Sequence, residues 1–398
     1  MRLNFLNPFG LFKNSLGKNI FLDYAGGTPV SSTVLKEMQK YENIFANPSG
    51  LYSESVVAKG LLGNFRTRIA KVLNVNKNEI VFTGGGTESN NLALLGVFEA
   101  FKMGDLVPHF ITTTIEHSSI LEVCKEIERR GGELTVISVN EEGLISLDEL
   151  AKAIKPNTVL VSLSIANSEI GTIQPINDIA KIIKDVKVGN TPYLHIDTGG
   201  SPLYLSMDIA RHGIDLLTLD SGKIYGPKGV GAIFVKSGTN IKPIIFGGGQ
   251  ERGLRSGTEN LSAISGFALA LEEATQNRET ESVRLSKIRD YAIENILKIF
   301  PSSSLNGSLK HRLPNNINIC FNGLDAEFAT IELDVLGFSV SYSSSCMTLK
   351  DDFSSYVIRA LNKEKDCSKS SLRFTLGKFS QKSDIDKLIL ALKKVVIK

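Results

Sequence analysis

Lys223 stands in Leu219-Asp-Ser-Gly-Lys-Ile-Tyr-Gly-Pro-Lys-Gly-Val-Gly-Ala-Ile-Phe234, after a small flexible triplet and before a glycine-rich turn. Apolar runs of strand length flank it, Asp215–Leu219 upstream and Gly231–Val235 downstream, so the lysine is expected on a turn between two buried strands. An amine held there, partly withdrawn from water, suits Schiff-base chemistry. An arbitrary loop lysine is simply solvated, so the case for chemistry depends on what converges with it.

Three other features qualify. Gly84-Gly-Gly-Thr87 lets backbone amides meet at a helix N terminus, where the dipole favours an anion such as phosphate. It lacks the Gly-Lys-Ser/Thr ending of a P-loop and the GxGxxG spacing of dinucleotide sites, and the same turn serves equally well as a plain helix cap. Asp197 ends the run Tyr193-Leu-His-Ile-Asp197, either as a capping aspartate or as a carboxylate facing a ligand. His117 follows the strand expected over His109–Thr114, where a ring could stack on a flat ligand. A phosphate-binding turn, a strand-end Asp and a loop Lys together supply the fixed points that pyridoxal phosphate requires.

The four cysteines lack zinc-ligand spacing or a CxxC pair, no metal site is expected, and they are too sparse for a disulfide scaffold, which favours a reducing compartment. Cys124 and Cys320 have apolar, structural surroundings. Cys346, in Ser341-Tyr-Ser-Ser-Ser-Cys-Met-Thr-Leu-Lys350, has the small polar surroundings of an accessible thiol, and Cys367 among Lys365, Asp366 and Lys369 is polar too. Context alone leaves both as candidate nucleophiles.

These residues need a scaffold, and the pattern supplies one. Strands expected at 79–83, 109–114, 133–138, 158–164, 193–197, 215–219 and 231–235 alternate with helices at 53–73, 88–102, 118–130, 147–154 and 176–184. That alternation predicts a mostly parallel sheet covered on both faces, with ligands beyond the carboxyl ends of its strands. A long helix over 261–300 then leads to a second unit, with strands expected at 316–321, 339–342 and 371–376, helices at 326–336 and 353–361, and a last helix from 383. The expected division is a large α/β domain over 20–260 and a smaller α+β domain over 261–398, with residues 1–19 packed nearby.

At 398 residues and 42% hydrophobic content, the chain can bury a large core. Its 45 basic and 42 acidic residues are spread without long blocks, so no nucleic-acid footprint is expected. No apolar run is long enough to span a bilayer, and the basic N-terminal extension is broken by Pro8 and Gly10, unlike a secretory leader.

The chain resembles the cysteine desulfurases, pyridoxal-phosphate enzymes of the class V aminotransferase family. The likeness runs from about Ile20 to the C-terminal helix. It rests on Leu22-Asp-Tyr-Ala25, Phe82 to Ser89, Glu116-His117, Asn167 to Gly171, Lys223-Ile-Tyr-Gly-Pro-Lys-Gly229, Gly247 to Thr258, Cys346 and Leu372-Arg-Phe-Thr-Leu-Gly377. The resemblance implies the fold type I architecture of pyridoxal-phosphate transferases, a homodimer in the cytoplasm, and conversion of L-cysteine to L-alanine with sulfur passed through Cys346 to an acceptor protein. It implies that Lys223 carries the cofactor, His117 stacks on its ring, Asp197 pairs with the ring nitrogen, and Gly86 and Thr87 hold the phosphate. Thr258 would reach the partner subunit's cofactor, while Arg373 and Asn167 would bind substrate. Other readings are a different amino-acid lyase or aminotransferase of the same fold, for which Cys346 is dispensable, and a non-catalytic scaffold.

The chain departs from the common family pattern at several places. Asp220-Ser-Gly222 replaces Ser-Gly-His before the lysine, Gly200 replaces a glutamine, Ser168 replaces an asparagine, and Ser53 falls about where a histidine is common. A carboxylate at 220 would repel a phosphate, so Asp220 is expected to turn away from the phosphate turn or pair with a cation. These replacements are expected to leave the lysine chemistry possible while weakening the hold on the cofactor.

Overall fold

Strands covered on both faces need apolar, β-branched side chains on both, and the Val-, Ile- and Leu-rich runs meet that need. The computed structural model describes residues 19–102, 107–189, 191–208, 212–342, 354–361 and 367–397. After a short β1 (Ile20–Phe21) come β2 (Ile80–Thr83), β3 (His109–Thr113), β4 (Glu133–Ile137), β5 (Thr158–Ser164), β6 (Tyr193–Asp197), β7 (Leu216–Asp220) and β8 (Gly231–Val235). The last seven form one sheet in the order β2-β8-β7-β6-β5-β3-β4. Strands β3 to β7 are mutually parallel, and β8 runs antiparallel to both of its neighbours.

Helices α1 (Ser32–Gln39), α2 (Ser53–Leu73), α3 (Gly86–Phe101), α4 (Ser118–Arg129), α5 (Leu147–Ala153) and α6 (Ile176–Val186) accompany the sheet. Their ends follow local chemistry. Ser31 Oγ accepts a hydrogen bond from Val34 N at 3.2 Å and starts α1. Helix α4 buries Ile120, Val123, Cys124 and Ile127 at helical spacing, while Glu122, Lys125, Glu126 and Arg129 lie on its other side.

The 39-residue α7 (Leu261–Ile299) serves two cores. Its Leu261–Leu271 half packs with α1, α2 and the sheet, and its Leu285–Ile296 half packs against the C-terminal strands. There β10 (Asn316–Phe321) lies between β9 (Ser303–Leu305) and β12 (Ser371–Thr375), antiparallel to both. Strand β1 pairs in parallel with β11 (Phe338–Ser339), so Leu22 packs in this second core. Helices α8 (Ala326–Val335), α9 (Tyr356–Ala360) and α10 (Lys382–Val396) complete the described chain.

Some expectations need correction. The strand expected over 339–342 is only β11 plus a bridge of Ser341 to Arg373, because the backbone pairs with β12 at that single point. Strand β9 has three residues, too few for a periodic signal. Cys367, read as polar from its neighbours, is buried and joined to Cys320 in a disulfide. A turn closed by Ser370 N to Cys367 O brings it beside β10, whose Cys320 pairs with Ser371. The cysteine pattern thus includes a bonded pair, and Cys367 has no thiol to act as nucleophile. No described helix is long and apolar enough to cross a membrane.

Register brings the site together. Ser164 lies opposite Asp197, and Asp197 opposite Thr218, so β5, β6 and β7 present their carboxyl ends along one edge. Thr83 of β2 and Asp220 of β7 both pair with Gly231 of β8, setting the 84–86 turn beside the turn that carries Lys223. A Cβ on Gly231 would lie 2.6 Å from Leu219 O and 2.8 Å from Gly85 Cα, so only glycine permits that approach.

Candidate active site

A cavity opens at this edge, lined by Gly86, Thr87, Asn90, His117, Asn167, Asp197, Gly200, Asp220 and Lys223, with Thr375 on the far wall. Ligand sites in open α/β sheets are expected at this place.

Lys223 follows β7 on a short 3-10 turn, half-buried, with Nζ donating to Ala25 O and Gly26 O at 2.9 Å each. Those carbonyls are themselves positioned by β12. Ala25 N donates to Thr375 Oγ1 at 2.9 Å, and Asp23 Oδ1 accepts from Arg373 Nη2 at 2.7 Å. The lysine's resting position therefore depends on both halves of the chain.

Asp197, at the end of β6, is buried and accepts from Asn90 Nδ2 at 2.8 Å and from Gly199 N at 2.9 Å. Asn90 Nδ2 also donates to Ser119 Oγ at 2.9 Å, and that hydroxyl lies 2.8 Å from His117 Nδ1. Ser119 N donates to the same Nδ1, which makes it an acceptor and leaves the neutral ring's proton on Nε2. His117 is the N-cap of α4, so one helix start fixes the ring while Asn90 ties it to the aspartate. Asn90 and Ser119 have no sequence signal of their own. Their only trace is a position in the first turn or so of a helix that follows a strand, Asn90 fifth in α3 and Ser119 second in α4.

Behind this layer Glu116 is fully buried. Thr113 Oγ1 donates to its Oε1 at 2.5 Å, and Ser164 N and Oγ donate to its Oε2 at 2.7 and 2.6 Å. Burial pushes its carboxyl up to about 7 despite those bonds, and the nearby Asp197 charge pushes the same way. His195, two residues before Asp197, sits between Ser162 Oγ and Thr218 Oγ1, and burial pushes it down to about 3, so it is a neutral core group.

The remaining expected residues fall in three places. Asn167 lines the cavity, but its amide shapes the following turn: Oδ1 accepts from Glu169 N and Ile170 N, and Nδ2 donates to Ile115 O. Arg373 is buried on β12, two residues from Thr375 and on the same strand face. Thr258 is exposed outside the cavity, with its Oγ1 3.5 Å from Asn47 Nδ2. Cys346 lies outside the described residues.

Asp220 corrects the sequence expectation. It does not turn away from the phosphate turn, and no described ion pair neutralises it. Its Oδ2 accepts from Gly86 N at 3.1 Å and its Oδ1 from Gly222 N at 2.8 Å, because β7 ends directly beside the start of α3. At Gly200 a Cβ would meet nothing closer than Lys223 O at 3.5 Å, so the missing glutamine leaves open space.

Comparison with known proteins agrees with this architecture. A NifS-like protein of known structure superposes with a TM-score of 0.88 at 29% identity, covering 95% of this chain and 99% of that one. The NifS-like protein of Rickettsia africae superposes at 0.83 with 30% identity, covering 96% and 100%. The cysteine desulfurase IscS of Dictyoglomus turgidum is 37% identical over 382 residues, 96% of this chain and 95% of its own. Cysteine desulfurase IscS 1 of Archaeoglobus fulgidus is 38% identical over 377 residues, 94% and 96%. The fold is thus the α/β fold type I of pyridoxal-phosphate transferases. With residues 20–388 matching its sequence pattern throughout, the chain belongs to the class-V aminotransferase family.

Proposed function

We propose that this protein is a pyridoxal-phosphate-dependent cysteine desulfurase. It would convert L-cysteine and the Cys346 thiol into L-alanine and a Cys346 persulfide, then hand the outer sulfur to an acceptor protein for iron–sulfur cluster assembly or thiolation. The carrying observation is the convergence of Lys223 Nζ, Asp197 and His117 on one cavity at the carboxyl edge of the sheet. The family is pyridoxal-phosphate dependent, and the donor set fits that cofactor at its ring and aldehyde carbon. A buried, doubly hydrogen-bonded carboxylate faces an amine and an imidazole across a cavity, and Asn90 Oδ1 is buried without a partner. At the phosphate end Gly86 N is already engaged by Asp220.

Bound there, the cofactor would supply an electron sink for bond breaking at the substrate α-carbon. The chain's own residues do the rest. Lys223 would leave its two carbonyl acceptors to hold the cofactor, and its Nζ would move the α-proton of cysteine. Asp197 would keep a proton on the ring nitrogen, and His117, oriented by Ser119, would cover the ring face. Arg373 would take the substrate carboxylate with its planar fork, exchanging part of its bond to Asp23. Cys346 would attack the substrate sulfur as thiolate, the S–S bond forming as the substrate Cβ–S bond breaks, and Cβ would keep that electron pair and take up a proton on the way to alanine.

The same reading makes the protein a homodimer in the cytoplasm, with Cys346 acting as a free thiol. Phe45, Leu51 and Phe246, close in sequence to Asn47 or to the loop that carries Thr258, are exposed apolar side chains suited to burial against a second copy, and Thr258 would then reach the partner's site. Sulfide release from cysteine with dithiothreitol tests the reading. Cys346→Ala is expected to abolish it, whereas unchanged release would point to a lyase that needs no enzyme persulfide.

A further inference from the structure

The start of α3 is where an anionic group of a ligand would be held, yet two of the donors there, Gly84 N and Gly86 N, are already committed. Gly84 N donates to Glu88 Oε2 at 2.9 Å, and Glu88 is held in turn by Arg255. Gly86 N donates to Asp220 Oδ2 at 3.1 Å, while Gly222 N donates to Oδ1 at 2.8 Å. One carboxylate therefore bridges the helix start and the turn that carries Lys223.

The surroundings are shaped to that carboxylate. A Cβ at Gly86 would come within 3.0 Å of Asp220 Oδ2, and one at Gly222 within 3.3 Å of Oδ1, so glycine at both positions makes the room. Register fixes the aspartate as well, because Asp220 and Thr83 share Gly231 as partner. The first turn of α3 gains from a negative charge whether a ligand or the chain provides it. Two anions cannot share the Gly86 amide without mutual repulsion.

We propose that Asp220 is a built-in competitor for the phosphate cradle. The site then binds its cofactor chiefly through the ring and Lys223, and a phosphate enters only by displacing the aspartate. This rests on the functional reading above and adds a specificity to it: the phosphate contributes little to affinity, so pyridoxal binds nearly as well as pyridoxal phosphate. In the cofactor-free protein Asp220 also supplies the acceptor for Gly86 N that a bound phosphate would otherwise provide.

Equilibrium dialysis of the full chain against pyridoxal phosphate and against pyridoxal tests this, using wild type, Asp220→Asn and Asp220→Ser. The expected wild-type preference for the phosphorylated form is below about tenfold. Asp220→Ser, which removes the charge and vacates the cradle, should raise that preference at least about tenfold (~1.4 kcal/mol). Asp220→Asn, which removes the charge alone, should raise it less. Inorganic phosphate should raise the melting temperature of Asp220→Ser but not of wild type. A preference unchanged or lowered in Asp220→Ser overturns the proposal while leaving the functional reading intact. Phosphate stabilisation of Asp220→Ser alone, with neither pyridoxal form bound by any variant, supports the competition and sinks the functional reading. Absence of all binding overturns both.

Discussion

Replacing Glu116 by glutamine isolates a carboxyl that burial keeps protonated in the folded protein at mildly acidic pH and that loses its proton around neutrality. Its folded value is about 7 against an ordinary 4.5, with burial as the largest cause. Between those values the native state holds a proton that the unfolded chain has released, so stability falls as pH rises through this window. The contribution is fully present below about pH 4.5 and is lost once pH passes about 7. At ~1.36 kcal/mol per unit the rise corresponds to roughly 3 kcal/mol, and a fully buried group needs no discount for solvent screening. Glutamine is neutral at every pH and can keep an oxygen toward Ser164 N and Oγ and its amide toward Thr113. Urea unfolding of wild type and Glu116→Gln should therefore give similar stabilities near pH 5, with the variant within about 1 kcal/mol for its altered hydrogen bonds. Near pH 8.5 the variant should be more stable by about 2–3 kcal/mol. A stability difference that does not change with pH, or that grows toward acid, would refute the placement of a neutral carboxyl behind Asp197.

Three further outcomes follow from contacts already described. Asn90→Ala removes a hydrogen bond to a buried carboxylate worth about 1.5–3 kcal/mol, so pyridoxal-phosphate affinity measured by dialysis should fall roughly ten- to a hundredfold with the fold intact. Unchanged affinity would mean that Asn90 does not hold Asp197 for the ring. Arg373→Lys keeps the charge but loses the planar fork, and should raise KM for cysteine about tenfold with a smaller change in kcat; the reverse split would count against a substrate role. Gly231→Ala forces a methyl against backbone on two sides and should cost about 2–3 kcal/mol or more in urea unfolding, and wild-type stability there would contradict the close approach of β8 to the 84–86 turn.

Much of the scaffold is legible in the sequence because period and punctuation agree. The strands 158–164, 193–197, 231–235 and 316–321 fall where their apolar runs lie, and helices 53–73 and 261–299 follow long helical patterns. Short pairings such as β9 and β11 leave no such trace, since two or three residues make no period. The site divides the same way. Lys223, Asp197 and His117 stand at strand ends, and a strand end is visible in sequence. Asn90 and Ser119 act through a contact between two helix starts that only the folded sheet creates. Asp220 misleads in sequence because repulsion from an absent phosphate is easy to imagine, whereas the nearby Gly86 and Gly222 amides come from the pairing of β7 and β8. Cys367 misleads for the related reason that charged neighbours in sequence need not be neighbours in space.

The most direct test of the account is alanine formation from L-cysteine with added pyridoxal phosphate, measured for wild type and Lys223→Ala. The account predicts alanine and transferable sulfur in equal amounts from wild type and neither from the variant. No alanine from wild type, or alanine formed equally well without Lys223, would contradict it.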